Sequence, residues 1–437
     1  MRVVFFSTCS SVKKNVVKYT YTPKACVQWS IMAEKHLEDE IILVTEHDAN
    51  CVVDFSEGEL FSQSELIKYV VVPNLGTKEM ADAIETEKPD IAVAVSTVNS
   101  PIDWNPVKDA LVAKELKKRG IKAFAHVPEI AMDLTDKWRT NLLLRKYGIG
   151  VANAVLVQSE LFNVKSDSMT NNVYREYIFD ALSDLNFPVV VKTTAGMGSM
   201  GVNVVDTLEE AYKILQENDG GDVLVEEKLP SLQFGTEIEG SDGNYTVMPP
   251  FQFRTNDKGV TDSFRILKFG PIADEKFHVK ELQQSLTNLA RELYFEGPTQ
   301  VDLAYHEGKW SVIEINPRWS GITEISAFSQ QRRPIEIFAE AAFGKDKDYG
   351  DIHNLKLVVS FKVQPEYMPI MEQLVGDEHI CLLTVGESPL IRGGKFGEVI
   401  YGVFDTKEEL LASIQKTLKP FPKEYVDDIV DGINHLG

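Results

Sequence analysis

Lys192 ends an apolar run, Phe187-Pro-Val-Val-Val-Lys192, and leads directly into Thr-Thr-Ala-Gly196-Met-Gly198-Ser199-Met-Gly201. An ammonium beside glycines with bare backbone N–H groups donates many hydrogen bonds without steric obstruction, which is what a polyphosphate requires. A second group lies far downstream, in Thr299-Gln-Val-Asp302 and Glu314-Ile-Asn316-Pro-Arg318. Two carboxylates and an amide oxygen are hard donors that suit Mg²⁺, which takes one or two carboxylates and completes its shell with phosphate oxygens and water. Arg318, just past Pro317, can clamp a phosphate or a carboxylate through two parallel N–H bonds; the plain alternative for a lone arginine is a surface ion pair. A phosphate cradle and a metal face together point to ATP.

The elements that must position these groups follow from periodicity. Gly196-Met-Gly198-Ser199-Met-Gly201 also spells G-x-G-x-x-G, the dinucleotide fingerprint, which needs strand, loop and then helix. Here Val202-Asn-Val-Val205 alternates as a strand, and the next helix begins near Thr207, where Thr207-x-x-Glu210 can form a capping box. The loop is therefore expected to join two antiparallel strands. The first strand, Arg2–Ser7, is followed by Ser7-Thr-Cys-Ser-Ser11 without a glycine, so a dinucleotide is not supported there either.

Residues 299–317 read as a hairpin turning at Glu307-Gly308-Lys309. A three-residue turn sets Asp302 across from Glu314. Asn316 then shares their face, while Val301, Leu303, Ile313 and Ile315 face the core. Opposed carboxylates repel, so the pair favours a bound cation over a solvated face. Val223-Leu-Val-Glu226 ends acidic and can act as a hinge whose backbone meets an adenine edge. Gly235-Thr-Glu237 offers a carboxylate for ribose hydroxyls or the rim of the site.

At 437 residues, 43% of them hydrophobic, the chain has material for two to four domains. Lys+Arg total 45 against Asp+Glu 66, a net charge of −21. A surface this acidic argues against nucleic acid or an anionic membrane, but a local basic cleft still allows ATP. The four cysteines, Cys9, Cys26, Cys51 and Cys381, form no C-x-x-C pair and read as incidental thiols. The N-terminus begins a strand rather than a signal segment, and no apolar stretch approaches the roughly 20 residues of a membrane span. A soluble cytoplasmic protein is expected.

The first third alternates strands (2–7, 40–45, 67–73, 89–95, 121–125) with helices (24–36, 77–88 capped by Thr77, 108–119 stopped by Gly120), which implies a mostly parallel sheet. From about Pro128 the pattern changes. Residues 135–147 read as one amphipathic helix closed by Gly148, and 151–158 and 223–226 as strands. Helices follow at 173–185, 208–215 and 282–294, with two or three antiparallel strands in 245–270. A polar break after Gly344 marks a boundary.

Lys137 in Asp-Lys-Trp, Lys192 before its glycine loop, the hinge Val-Glu-Glu-Lys-Leu followed by Gly-x-Glu, and Asp302 with Glu-Ile-Asn-Pro-Arg together resemble the ATP-grasp superfamily from about Val127 to Gly344. The resemblance implies an α/β and α+β architecture. Residues 1–127 would be a parallel Rossmann-like pre-ATP-grasp domain, 128–345 the ATP-grasp domain in lobes of about 128–225 and 226–345, and 346–437 a small α+β extension. It implies that Lys137 and Lys192 hold the α- and β-phosphates and that Gly196, Gly198, Ser199 and Gly201 close over the β- and γ-phosphates. Glu226 and Leu229 would face adenine, and Glu237 the ribose or the rim. Asp302, Glu314 and Asn316 would bind one or two Mg²⁺, with Mn²⁺ able to substitute, and Lys192 and Arg318 would act in catalysis. Thr193 departs from the proline that often follows the lysine, which should alter loop stiffness only.

The chemistry so implied is a carboxylate–amine ligase working through an acyl-phosphate on amino acids or small peptides. Trp319-Ser-Gly-Ile-Thr-Glu324 lacks the glutamate–histidine pair of biotin carboxylases, and the motif resembles amino-acid ligases and carbamoyl-phosphate-type members more. A bicarbonate- or other carboxylate-activating enzyme and a non-catalytic nucleotide-binding regulator are the alternatives, and the complete Lys–Lys–Asp–Glu–Asn–Arg set disfavours the second. Partners would be small-molecule carboxylates and amines, with a homodimer compatible. The substrate pocket is expected between the N-terminal domain and 251–330, where Arg254, Arg265 and Lys268 are candidates for pairing with a substrate carboxylate or phosphate, or equally ordinary surface charges.

Overall fold

The computed structural model describes residues 1–8, 28–45, 55–56, 59–60, 65–72, 76–97, 104–164, 172–196, 201–261, 267–344, 352–374, 376–387 and 395–437. Gly198, Ser199 and Arg265 lie outside the described residues, as do Cys9, Cys26 and Cys51.

The N-terminal apolar runs form β1 (Arg2–Ser7), α1 (Gln28–Glu34), β2 (Glu40–Thr45), β3 (Ile67–Val71), α2 (Thr77–Thr86), β4 (Ile91–Ala94), α3 (Asn105–Lys118) and β5 (Lys122–Phe124). The strands pair in parallel in the order β3-β2-β1-β4-β5, as expected. Both faces are covered, which is why these strands read as continuous apolar runs. Val4, Phe6, Ile42 and Val44 pack on Met80, Ile84, Val112 and Leu116 of α2 and α3. Val3, Phe5, Ile41 and Leu43 pack on Trp29 and Met32 of α1, and also on Trp319, Ile335 and Phe338 from much later in the chain. Gly76, rather than Thr77, is the N-cap of α2, and Thr77 is its first helical residue.

The single helix expected over 135–147 is two, α4 (Pro128–Thr135) and α5 (Lys137–Lys146). Asp136 breaks them, because its extended backbone and its side chain, which accepts from Arg139 N, cap α5. Then come β6 (Ala154–Val157), α6 (Ser159–Phe162), α7 (Val173–Ser183), β7 (Val189–Thr193), β8 (Asn203–Val205), α8 (Leu208–Glu217) and β9 (Val223–Glu227). These strands form an antiparallel sheet, β8-β7-β9-β6, so the glycine loop does join two antiparallel strands. Thr207 Oγ1 accepts from Glu210 N, while Glu210 Oε2 accepts from Asp206 N, one residue before the position a reciprocal box uses.

The remaining strands are β10 (Leu232–Ser241), β11 (Asn244–Val247), β12 (Phe251–Phe253), β13 (Leu267–Gly270), β14 (Thr299–His306), β15 (Lys309–Asn316), β16 (Leu357–Val363), β17 (Ile380–Glu387) and β18 (Lys395–Phe404). They make one sheet in the order β15-β14-β10-β12-β13-β16-β18-β17, with β11 against β10. Residues 346–437, read above as an extension, thus add three strands to the sheet that carries Asp302. The helices here are α9 (Val279–Leu293), α10 (Gly321–Ser329), α11 (Pro334–Phe343), α12 (Met368–Gln373), α13 (Lys407–Thr417) and α14 (Lys423–His435). One face of the sheet buries Phe234, Val301, Leu303 and Ile315 against Leu286, Ile414 and Ile433 of α9, α13 and α14. The other packs Phe251, Phe253, Val358 and Ile400 on Ile322 and Ile325 of α10. α10 and α11 therefore cover two sheets at once.

Candidate functional site

The hairpin β14–β15 turns on two residues, Glu307 and Gly308, both with positive φ (49° and 78°), and His306 faces Lys309. The expected three-residue turn is not formed. A two-residue turn alone would bring residue 313 opposite Asp302. A β-bulge absorbs Ile313 instead, so Leu303 faces Val312 and Asp302 faces Glu314. The apposition of the two carboxylates holds, but for a different reason. Ile313 is the correction: expected in the core beside Ile315, it lines the cleft with Glu314.

Lys137 is the first residue of α5. Its backbone N–H donates to Thr194 O at 2.9 Å, and its Nζ donates to Gly196 O at 2.7 Å while lying 3.4 Å from Glu314 Oε2. It thereby ties the start of the glycine loop to the carboxylate face. Lys192 Nζ donates to Glu226 Oε1 at 2.5 Å. A Cβ at Gly196 would come within 2.6 Å of Thr193 Oγ1, so the Thr193 side chain would have to turn aside. Gly201 has φ 72°, the left-handed region that favours glycine. Lys137, Lys192, Gly196, Glu226, Leu229, Asp302 and Glu314 all line one cavity of ≈ 1100 Å³, counting its open mouth. That is ample for a nucleoside triphosphate.

Burial pushes Asp302 up to about 7, and Glu314 opposite adds to the rise. Burial acts on Glu314 in the same direction, but Lys137, Lys192 and the Asn316 amide outweigh it and hold Glu314 down at about 2. Among the described residues no group of three His, Cys, Asp or Glu side chains converges. Asn316 lies beside the pair: its Nδ2 donates to Glu314 Oε1 at 3.2 Å and its Oδ1 accepts from Arg318 Nη2 at 3.2 Å. An ionised Glu314 facing Asp302, with an amide adjacent, fits a Mg²⁺ whose other ligands are phosphate oxygens and water.

Glu237 does not line this cavity. It is fully buried on β10, accepts from Thr323 Oγ1 of α10 at 2.9 Å, and leaves Oε1 without a hydrogen-bond partner. The period of the strand explains this. Gln233 lines the large cavity, and Glu237, two further steps along the same face, falls under α10. Burial, reinforced by Glu239, raises its carboxyl well above the usual range. Arg254 is also displaced from the cleft. It alternates with Phe253, so it faces α14, where Nη1 and Nη2 meet Asp428 at 2.9 and 2.7 Å. Lys268 does lie on the site's face, with Nζ 3.5 Å from Glu398 Oε1 and 5.8 Å from the centre of the Phe253 ring.

Sequence reasoning missed the groups around Lys268. Lys362 Nζ donates to Glu398 Oε2 at 2.5 Å, and Ser360 Oγ to Glu398 Oε1 at 2.9 Å. Burial works against ionisation of Glu398, but Lys362 and Lys268 hold it well below the usual carboxylate range. Glu324, which accepts from Trp319 Nε1 at 3.3 Å, is pushed up to about 7 by burial and by Glu398. The signal available was polar residues at alternate positions, Ser360 and Lys362, in an otherwise apolar strand. Missed as well was Asp109 on α3, to which Thr8 Oγ1 and Ser96 Oγ donate at 2.5 and 2.8 Å. No motif marks it.

Residues 143–334 match the D-ala D-ala ligase C-terminus family. A carbamoyl phosphate synthase large chain from Methanothrix thermoacetophila is 22% identical over 317 residues, which are 71% of this chain but 27% of that one. This chain therefore spans about a quarter of that relative's length, at the same 27%. Its fold is shared by an L-amino acid ligase from Bacillus licheniformis, with a TM-score of 0.63, 13% identity and coverage of 96% of this chain and 97% of that one. The biotin carboxylase domain of the Hydrogenobacter thermophilus 2-oxoglutarate carboxylase, solved with MgADP, ADP and bicarbonate, aligns with a TM-score of 0.61, 13% identity, and coverage of 96% and 89%. With Lys137, Lys192 and the carboxylate hairpin brought to one cavity, the chain is similar over residues 143–334 to the D-ala D-ala ligase C-terminus family and shares the fold of an L-amino acid ligase and a biotin carboxylase domain.

Proposed function

We propose that the protein activates a small carboxylate with ATP and joins it to an amine, releasing ADP and phosphate. The observation that carries this reading is the single cavity that Lys137, Lys192 and Gly196 share with the Asp302–Glu314 pair. An amino acid or small peptide is the substrate class, supported by the likeness to an L-amino acid ligase.

Each residue then has a task. Lys137 and Lys192 offset the charge of the triphosphate, with Lys192 exchanging its bond to Glu226 for a phosphate oxygen. The end of β9, with Glu226 and Leu229, meets the adenine. Asp302, Glu314 and Asn316 would hold one or two Mg²⁺, with Mn²⁺ able to substitute, and the metal supplies positive charge to the phosphate oxygens. Arg318 holds the substrate carboxylate by a bidentate pair. One carboxylate oxygen attacks the γ-phosphorus and ADP leaves. The amine then attacks the acyl carbon, phosphate leaves, and the amine loses its proton. Catalysis here is chiefly positioning and electrostatics.

The test is ADP and phosphate release with Mg·ATP and pairs of carboxylates and amines. Stimulation by a pair, with product amide, is expected. Formation of AMP, or no stimulation by any pair, would overturn the reading. Bicarbonate belongs among the carboxylates because one structural neighbour was solved with it.

A further inference from the structure

Lys137 bridges two parts of the site. Its Nζ donates to Gly196 O at 2.7 Å, at the start of the glycine loop, and lies 3.4 Å from Glu314 Oε2 on the carboxylate hairpin. The backbone fixes the base of this reach. Lys137 N donates to Thr194 O at 2.9 Å, and the Asp136 side chain caps α5 by accepting from Arg139 N at 2.8 Å. The Lys137 side chain is 13% exposed and that of Glu314 26%, so water and salt screen the pair only in part.

The candidate metal ligands are hydrogen-bonded among their neighbours. Glu314 Oε1 accepts from Asn316 Nδ2 at 3.2 Å, Asn316 Oδ1 accepts from Arg318 Nη2 at 3.2 Å, and Asp302 Oδ1 accepts from Gln300 Nε2 at 2.8 Å. Each of the three thus already has a donor on an oxygen that a metal would use. The amides of Asn316 and Gln300 are neutral dipoles and can turn aside for a cation. Lys137 differs, because it brings a full positive charge to a carboxylate oxygen. A divalent ion on Glu314 would meet that ammonium at close range, and like charges there repel. Lys192 carries an equal charge, but its Nζ is held by Glu226 Oε1 at 2.5 Å and acts on Glu314 through space.

We propose that Lys137 is a latch on the metal face: it ties Glu314 to the start of the glycine loop and keeps a free divalent cation off the carboxylates until polyphosphate oxygens draw its ammonium away. The proposal rests on the reading of Asp302, Glu314 and Asn316 as metal ligands. It goes beyond that reading by giving Lys137 a role against the metal as well as one toward the phosphates. A phosphate oxygen competes well for the ammonium, since a charge-assisted bond to it is stronger than the bond to the neutral Gly196 carbonyl. The consequence is an order of binding. Lys137 exchanges Gly196 O and Glu314 for phosphate oxygens, so the metal site forms with the nucleotide and not before it. The same exchange frees the start of the glycine loop from the hairpin.

Nucleotide-free Mn²⁺ titrations of the full chain, read from the electron paramagnetic resonance of unbound Mn²⁺, test this. Lys137→Met keeps the bulk of the side chain and the backbone bonds of α5 but removes the charge. It should bind Mn²⁺ about tenfold more tightly than the unmodified chain, the effect of lifting an ammonium from a ligand oxygen. Lys137→Gln, a second neutral variant, should show the same gain, which guards against misfolding of either one. Lys192→Met removes an equal charge that does not touch Glu314 and should tighten binding about twofold at most. Adding Glu314→Gln to Lys137→Met should abolish the gain. The proposal is overturned if neither Lys137 variant gains affinity, if Lys192→Met gains as much, or if the gain survives Glu314→Gln. Water-proton relaxation with Mn²⁺ and ADP reports on the metal assignment separately. The unmodified chain should hold the Mn·ADP complex, and Glu314→Gln about tenfold more weakly. Equal binding by these two refutes the metal assignment; the expected difference, without a gain in the Lys137 variants, refutes the latch alone.

Discussion

Ile313→Ala isolates what the β-bulge does. The bulge turns Ile313 out of the core and into the wall of the cavity proposed for ATP, while Glu314 keeps its place across from Asp302. The substitution removes three carbon atoms, worth about 0.8 kcal/mol each if fully covered. Ile313 is half-buried before ATP arrives, so ATP can newly cover only part of it. The expected loss is about 1 kcal/mol, or roughly fivefold in ATP affinity. The assay is ATP-dependent turnover at saturating Mg²⁺, followed by a Mg²⁺ titration at saturating ATP. ATP affinity should weaken and the Mg²⁺ requirement should stay. The reasoning is refuted if ATP affinity is unchanged. It is equally refuted if the metal requirement shifts instead, because Ile313 would then be holding the carboxylate register rather than the nucleotide.

Glu314→Ala should abolish Mg²⁺-dependent turnover, since it removes the carboxylate that Lys137 and Lys192 keep ionised; near-normal activity would sink the metal assignment. Arg254→Ala should leave turnover unchanged and cost less than about 1 kcal/mol in denaturant unfolding, because its pair with Asp428 is half-exposed; a large fall in substrate affinity would return Arg254 to the site. The pH dependence of stability should carry a contribution from Glu324. Its folded value is raised from 4.5 to about 7, so the folded state holds the proton more tightly than the unfolded one. Its stabilisation is complete below about pH 4.5 and is lost as pH rises through 7. Glu324→Gln should remove that part of the slope in denaturant unfolding; an unchanged slope would place the titration elsewhere.

How much of the site was legible depended on how local its geometry is. Lys192 at the end of a buried strand and Asn316 two residues after Glu314 follow from the period of two, which needs no knowledge of the rest of the chain. The hairpin shows the limit. Asp302 and Glu314 do face each other, but through a two-residue turn and a bulge that no residue between 309 and 316 announces. Glu237 failed for a related reason. Its face of β10 was legible, but not where along that face α10 begins to cover the sheet. Lys362 and Glu398 are separated by 36 residues, and their pairing depends on which strands adjoin.

Residue types and short spacings by themselves determined the chemistry: a lysine with a glycine loop, and two carboxylates, an amide and an arginine on a hairpin. They also determined the parallel N-terminal sheet, because strands buried on both faces read as unbroken apolar runs. Tertiary structure alone decided that α10 and α11 serve two sheets and that residues 346–437 complete the sheet of the site. It alone brought Asp109 to the same cavity as Arg318. These outcomes are set by which apolar faces find each other across long stretches of chain. A local pattern specifies that a face is buried, not what buries it.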